Sequence, residues 1–169
     1  MTSARRQRKS RPGRIVLGLG AAVFLGSILL IPGPTGASTT TRVVADWRTG
    51  LAIDGIDPVA YFTDAAAEPG RPELEYRFAD VIWRFRNEGN RAAFIAAPEV
   101  YMPRFGGYDP KGVARGVATP GNPKLWVRQA NRVYLFHNEE TQAQFAADPQ
   151  SAIEAAEQRW PAVMKELVQ

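Results

Sequence analysis

The chain of 169 residues contains no cysteine. That absence excludes a disulfide framework, a thiolate nucleophile, thiolate metal ligands and lipid attachment to a cysteine, so the fold must be held by its core alone. Histidine occurs once, as His137. Zinc sites normally draw on several His or Cys ligands, so this imidazole is read as a strand-end residue, and no metal or other cofactor is expected. Serine is also scarce. Past residue 37 there are only Ser38 and Ser151, and neither follows a strand in the sharp turn that exposes a nucleophile. No catalytic residue is assigned.

Basic residues are not in real excess either, once their placement is considered. The formal charge is +4, but six of the 21 Lys and Arg residues (Arg5, Arg6, Arg8, Lys9, Arg11 and Arg14) precede Ile15. From Ser38 onward 15 basic residues face 17 acidic ones, a balance of −2. Affinity for nucleic acid comes largely from neutralising phosphates with a basic stripe on the folded domain, so no nucleic-acid partner is expected.

Long apolar runs are limited to one. Ile15 to Ile31 carries no charge over 17 residues, and Pro32, Gly33 and Pro34 then interrupt any helix. A positive segment, an apolar segment and helix breakers, followed by Thr35-Gly36-Ala37 before Ser38, make 1–37 a signal peptide. The competing reading is an uncleaved membrane anchor, at the lower edge of the length that spans a bilayer. Both readings leave the positive end in the cytoplasm and export the rest to the periplasm or beyond, with membrane contact only through the N-terminal segment.

The exported part has room for one ordinary domain. Residues 38–50, polar and Thr-rich at their start, read as a linker before a domain at 51–169. Leu51 to Ile53 and Val59 to Phe62 read as short extended segments around the Asp54-Gly55-Ile56-Asp57-Pro58 turn. Leu74 to Phe78 and Val81 to Arg86 read as a hairpin turning at Ala79-Asp80. Asn87 then caps a helix that stops at Pro98.

The same pattern recurs at an offset of 51. Phe85/Phe136, Asn87/Asn138, Glu88/Glu139, Ala92/Ala143, Phe94/Phe145 and Pro98/Pro149 are identical pairs, and Asp80/Asn131 is the matching turn. The pattern predicts two ββα units packed around one core, an α+β fold. A helix over about 151–159 and a short last helix opening near Pro161 complete it.

At this point Gly55-Ile56-Asp57-Pro58-Val59-Ala60-Tyr61-Phe62 resembles a segment of YHS-domain proteins of the exported bacterial subgroup, with Ile56 where Tyr is usual. Phe85, Phe94, Pro98, Tyr101, Phe105-Gly106-Gly107-Tyr108, Trp126, Tyr134 and Trp160-Pro161 extend the likeness over about 51–161. Metal-binding relatives carry cysteines where this chain has Ala60, Arg86 and Asn90, and the exported subgroup often keeps one at the position of Asp109. The resemblance therefore implies a scaffold whose thiol chemistry is gone.

Asp54, Asp57 and Asp109 lie beside Gly or Pro and read as turn residues whose carboxylates accept backbone N–H bonds. Trp83, Phe85, Tyr134 and Phe136 read as core. Arg86 falls on the strand face opposite Phe85, just before a helix N-terminus, which suits an anion. That anion is either internal, Asp54 or Asp57, or a carboxylate or phosphate ligand. Candidate ligand-binding residues are therefore Arg86, Asn90, Asp57, Tyr108 and His137, with no metal ligand among them. The function they suggest is a non-catalytic binding or accessory protein of the cell envelope whose partner is a small anion or an envelope protein. The rivals are a copper- or zinc-handling protein with non-thiol ligands and a carboxylate-based enzyme.

Overall fold

The computed structural model describes residues 41–167, and the expected signal segment at 1–37 lies outside them. The described chain is α+β. Its strands form two antiparallel hairpins, β1 (Arg71–Phe78) with β2 (Val81–Phe85) and β3 (Asn122–Gln129) with β4 (Arg132–Phe136). The helices are α1 (Ala60–Thr63), α2 (Glu88–Ala96), α3 (Pro98–Tyr101), α4 (Pro110–Ala114), α5 (Glu139–Ala147) and α6 (Pro149–Glu166).

Local chemistry accounts for the hairpins and the helices that follow them. Ala79 and Asp80 have φ of 53° and 63°, and Ala130 and Asn131 have 48° and 57°. Two successive left-handed residues give the two-residue turn whose twist suits a hairpin. The Asn87 side chain accepts the Asn90 N–H at 2.8 Å and that of Asn138 accepts the Thr141 N–H at 2.9 Å, which caps α2 and α5 as expected. Every strand and the helix after it begins and ends 51 residues beyond its counterpart. The irregularity in pairing recurs as well, between Arg71 and Glu75 in one hairpin and between Asn122 and Trp126 in the other.

Packing makes the two units unequal. Trp83 and Phe85 meet Phe94 at ring-centroid distances of 4.9 and 5.2 Å, while Tyr134 and Phe136 meet Phe145 at 5.1 and 5.0 Å. Val133 and Leu135, on the other face of β4, are buried in the first cluster beside Trp83 and Phe85. The interior therefore has two lobes, one on each side of β4. The corresponding β2 residues, Ile82 and Arg84, are only half-buried. Arg84 spends its guanidinium on Glu75 at 2.8 Å. Tyr61 also ties the units together, since its hydroxyl donates to the Pro123 carbonyl at 2.8 Å and its ring lies 5.1 Å from Trp126.

Three expectations are corrected. The first concerns the linker: within 38–50, residues 41–45 pack into the fold. Val43 is buried, the Val44 N–H donates to the Gly106 carbonyl at 2.8 Å, and the Ile53 N–H donates to the Val44 carbonyl at 2.9 Å. Two valines there give apolar area to bury. The second is Val59 to Phe62, which is helical rather than extended over Ala60–Thr63, because Asp57 accepts the Val59 N–H and bends the chain there. The third is the C-terminal pair of helices, which is one 18-residue helix with Pro161 inside it. Burial of Ala156 and Val163 and the packing of Trp160 against Phe105 hold that helix together across the missing N–H.

Candidate functional site

Two buried carboxylates organise the polar interior. Asp57 is fully buried, and its Oδ1 accepts the Val59 N–H at 2.8 Å. Its Oδ2 accepts the Arg86 N–H at 2.8 Å and the Asn90 Nδ2–H at 2.7 Å. One side chain thus joins the start of α1, the end of β2 and the first turn of α2. Asp109 repeats the arrangement in the second unit. Its Oδ1 accepts the Lys111 N–H at 2.7 Å, and its Oδ2 accepts the His137 N–H at 2.8 Å and the Thr141 hydroxyl at 2.6 Å.

Backbone shape places both carboxylates. Ile53, Asp54 and Gly55 have φ of 42°, 56° and 75°, and Phe105, Gly106 and Gly107 have 55°, 62° and 88°. Each left-handed run turns the chain inward two residues before its aspartate. The Asp57 N–H then donates to the Glu68 carbonyl at 2.8 Å and the Asp109 N–H to the Thr119 carbonyl at 2.9 Å, so the main chain fixes both ends of each turn. Gly106 is needed for a separate reason: a Cβ there would collide with the Arg42 carbonyl oxygen.

The five candidate residues fall into two groups. Asp57, Asn90 and the Arg86 backbone converge in the first unit, whereas Tyr108 and His137 flank Asp109 in the second. The Arg86 side chain departs from expectation. Its Nη1 pairs with Asp64 at 2.5 Å, and neither Asp54 nor Asp57 is its partner. Outward alternation carries the guanidinium away from the buried carboxylate and leaves the pair partly exposed, at 38% and 40% of the side chains. The buried Tyr108 hydroxyl donates to the Thr41 carbonyl at 2.7 Å. Burial raises its pKa, and the bond to Thr41 opposes that shift. His137 Nδ1 lies 3.1 Å from the Pro120 carbonyl, and the residue is exposed.

Ala60, Arg86 and Asn90 hold groups unsuited to ligating a metal. Ala60 is a buried methyl, the Asn90 amide donates to Asp57, and Arg86 is a cation. Among the described residues no three His, Cys, Asp or Glu side chains gather to hold a metal ion. The donor set does not fit a thiolate-type centre.

Thr141 and Asp64 were not legible as partners of this framework. The sequence marks Asp109 as a turn residue, and it also carries a signal for its larger role. Gly55-Ile56-Asp57-Pro58 recurs as Gly107-Tyr108-Asp109-Pro110 at an offset of 52, one residue out of step with the ββα match. A gapless comparison at 51 passes over it. No family model matches the chain, and neither a curated protein nor a solved structure does.

Proposed function

We propose that the chain is an exported, non-catalytic binding or accessory protein of the cell envelope, built on a YHS-like scaffold without thiol ligands. The observation that supports this reading is the use made of Asp57 and Asp109. Both carboxylates are buried, and in each Oδ1 accepts from a backbone N–H while Oδ2 accepts from one backbone N–H and one side chain. A general acid or base must instead face the proton it transfers. The groups left at the surface beside this framework are the Arg86 guanidinium, held at one nitrogen by Asp64, and the exposed His137. A guanidinium next to the start of α2 suits a carboxylate or phosphate on a small molecule or on an envelope protein.

Calorimetric titration of the exported protein with acetate, phosphate, copper(II) and zinc(II) tests the proposal. Saturable anion binding that is lost in Arg86→Ala is the expected result. Stoichiometric metal binding that depends on His137, with no anion response, would transfer the function to the metal-handling rival. N-terminal sequencing of the same material is expected to begin near Ser38, and a start at Met1 would identify an anchored form.

A further inference from the structure

We infer that the anion taken up beside Arg86 is the carboxylate of an aromatic small molecule, whose ring lies against Arg128 and Phe62. The inference rests on the anion-binding reading above and names the chemical class of its ligand. The Arg86–Asp64 pair and the Arg128–Phe62 contact share one end of α1. Asp64 is the residue that ends this helix, and it takes Arg86 Nη1 at 2.5 Å. Phe62 lies two positions earlier. Its carbonyl accepts from Arg128 Nη1 at 3.3 Å, and the Arg128 guanidinium sits 5.8 Å from the centroid of its ring. The end of β2 and the middle of β3 thus each bring a guanidinium to the same few residues.

Charge here is left over. Among the described residues neither Arg128 nor Arg132 makes an ion pair. Arg132 donates instead to the Glu99 carbonyl in α3, the helix that also supplies Tyr101. Three arginines, Arg86, Arg128 and Arg132, therefore stand against two carboxylates, Asp64 and Glu99, and the sum is positive. Apolar surface is left over as well. Tyr101 meets Phe62 edge-on at 5.3 Å, and both residues are only half-buried, so part of each ring faces solvent. Aromatic rings and arginine are the side chains on which recognition surfaces draw most.

Both leftovers must be met by one ligand. A planar guanidinium has two faces, and Phe62 takes one of those of Arg128. Arg128 is exposed, which leaves its other face and most of its N–H donors open. A bare carboxylate or phosphate would use the charge and leave the rings uncovered. An apolar molecule would use the rings and leave the charge unmet, and an aromatic amine would be repelled. A carboxylate carried on a ring satisfies both, with its oxygens on guanidinium N–H groups and its ring stacked on Arg128 beside the aromatic pair.

The test is a titration of the isotope-labelled exported protein with benzoate, acetate, phosphate and benzyl alcohol, followed through the shifts of its amide resonances. Benzoate is expected to bind about five-fold or more tightly than acetate, the margin that one aromatic contact supplies. It is also expected to shift the amides of Phe62, Tyr101 and Arg128. In Arg128→Gln, a change at an exposed side chain, the two acids are expected to bind alike. Equal affinity for benzoate and acetate in the wild type, a benzoate preference that survives Arg128→Gln, or a response to phosphate alone overturns this inference and leaves the anion reading intact. Benzyl alcohol binding as tightly as benzoate also overturns it, since the carboxylate would then be idle. A response to neither acid nor phosphate overturns the inference and the anion reading together.

Discussion

Asp57 and Arg86 are joined by one hydrogen bond, yet they carry very different structural weight. The contact uses the Arg86 backbone N–H, so shortening the Arg86 side chain leaves it in place. What Arg86→Ala removes is a partly exposed ion pair, and such pairs contribute about 0 to 1 kcal/mol. Asp57→Ala, by contrast, strands the Val59 and Arg86 N–H groups and the Asn90 amide in the interior. A buried donor without a partner costs about 1 to 3 kcal/mol, so Asp57→Ala is expected to lose at least about 3 kcal/mol. Urea midpoints of the two variants measure the contrast, and an equal loss in both would contradict it. Proximity in sequence to a helix start and the resemblance drew attention to Arg86. The turn role of Asp57, its bond from Val59, is legible in the sequence; its bonds from Arg86 and Asn90 are not, because those residues lie 29 and 33 positions away and no local pattern encodes a side chain that crosses that distance.

Elements were legible where their signal is local and missed where it is not. The hairpins, the Asn caps and the Pro98 stop each depend on residues within a few positions, and all appear where alternation and capping place them. The short helices α1, α3 and α4 span four or five residues and have no periodicity to read. Glycine shows the same difference between local and long-range causes. Gly116 has φ 80° and open space around the position of a Cβ, so Gly116→Ala costs only backbone strain, about 1 kcal/mol. A Cβ on Gly121 would lie 2.6 Å from Leu135 Cβ and 2.7 Å from the Gly107 carbonyl oxygen, between β4 and the second left-handed turn. Gly121→Ala therefore forces two elements apart, and overpacking of this kind costs about 1 to 3 kcal/mol or more. Thermal midpoints should fall further for Gly121→Ala than for Gly116→Ala, and the reverse order would show that the second turn can shift freely.

At the scale of the whole molecule, tyrosines couple residues 41–45 and the two units to pH. Burial raises the pKa of Tyr61 most strongly, with the Asp54 charge adding to it, and burial also raises Tyr108 and Tyr134. Tyr61 bridges to Pro123, Tyr108 holds the segment 41–45 at Thr41, and Tyr134 packs against Phe145. All three phenols are neutral in folded and unfolded chains well below their ordinary pKa, about 10, so stability is unaffected there. As the pH rises past that value the unfolded chain releases protons that the folded chain retains. The unfolded state then binds fewer protons, and stability must fall with pH until the folded phenols ionise as well. Urea midpoints are therefore expected to stay level from neutral pH to about 9 and to decline above about 10. In Tyr61→Phe the hydrogen bond to Pro123 is lost, lowering stability at neutral pH by about 0.5 to 1.5 kcal/mol and the urea midpoint with it. The alkaline decline becomes shallower in the same variant, because its most strongly shifted phenol is gone. Equal alkaline slopes in wild type and Tyr61→Phe would show that Tyr61 is not the group through which high pH opens the fold.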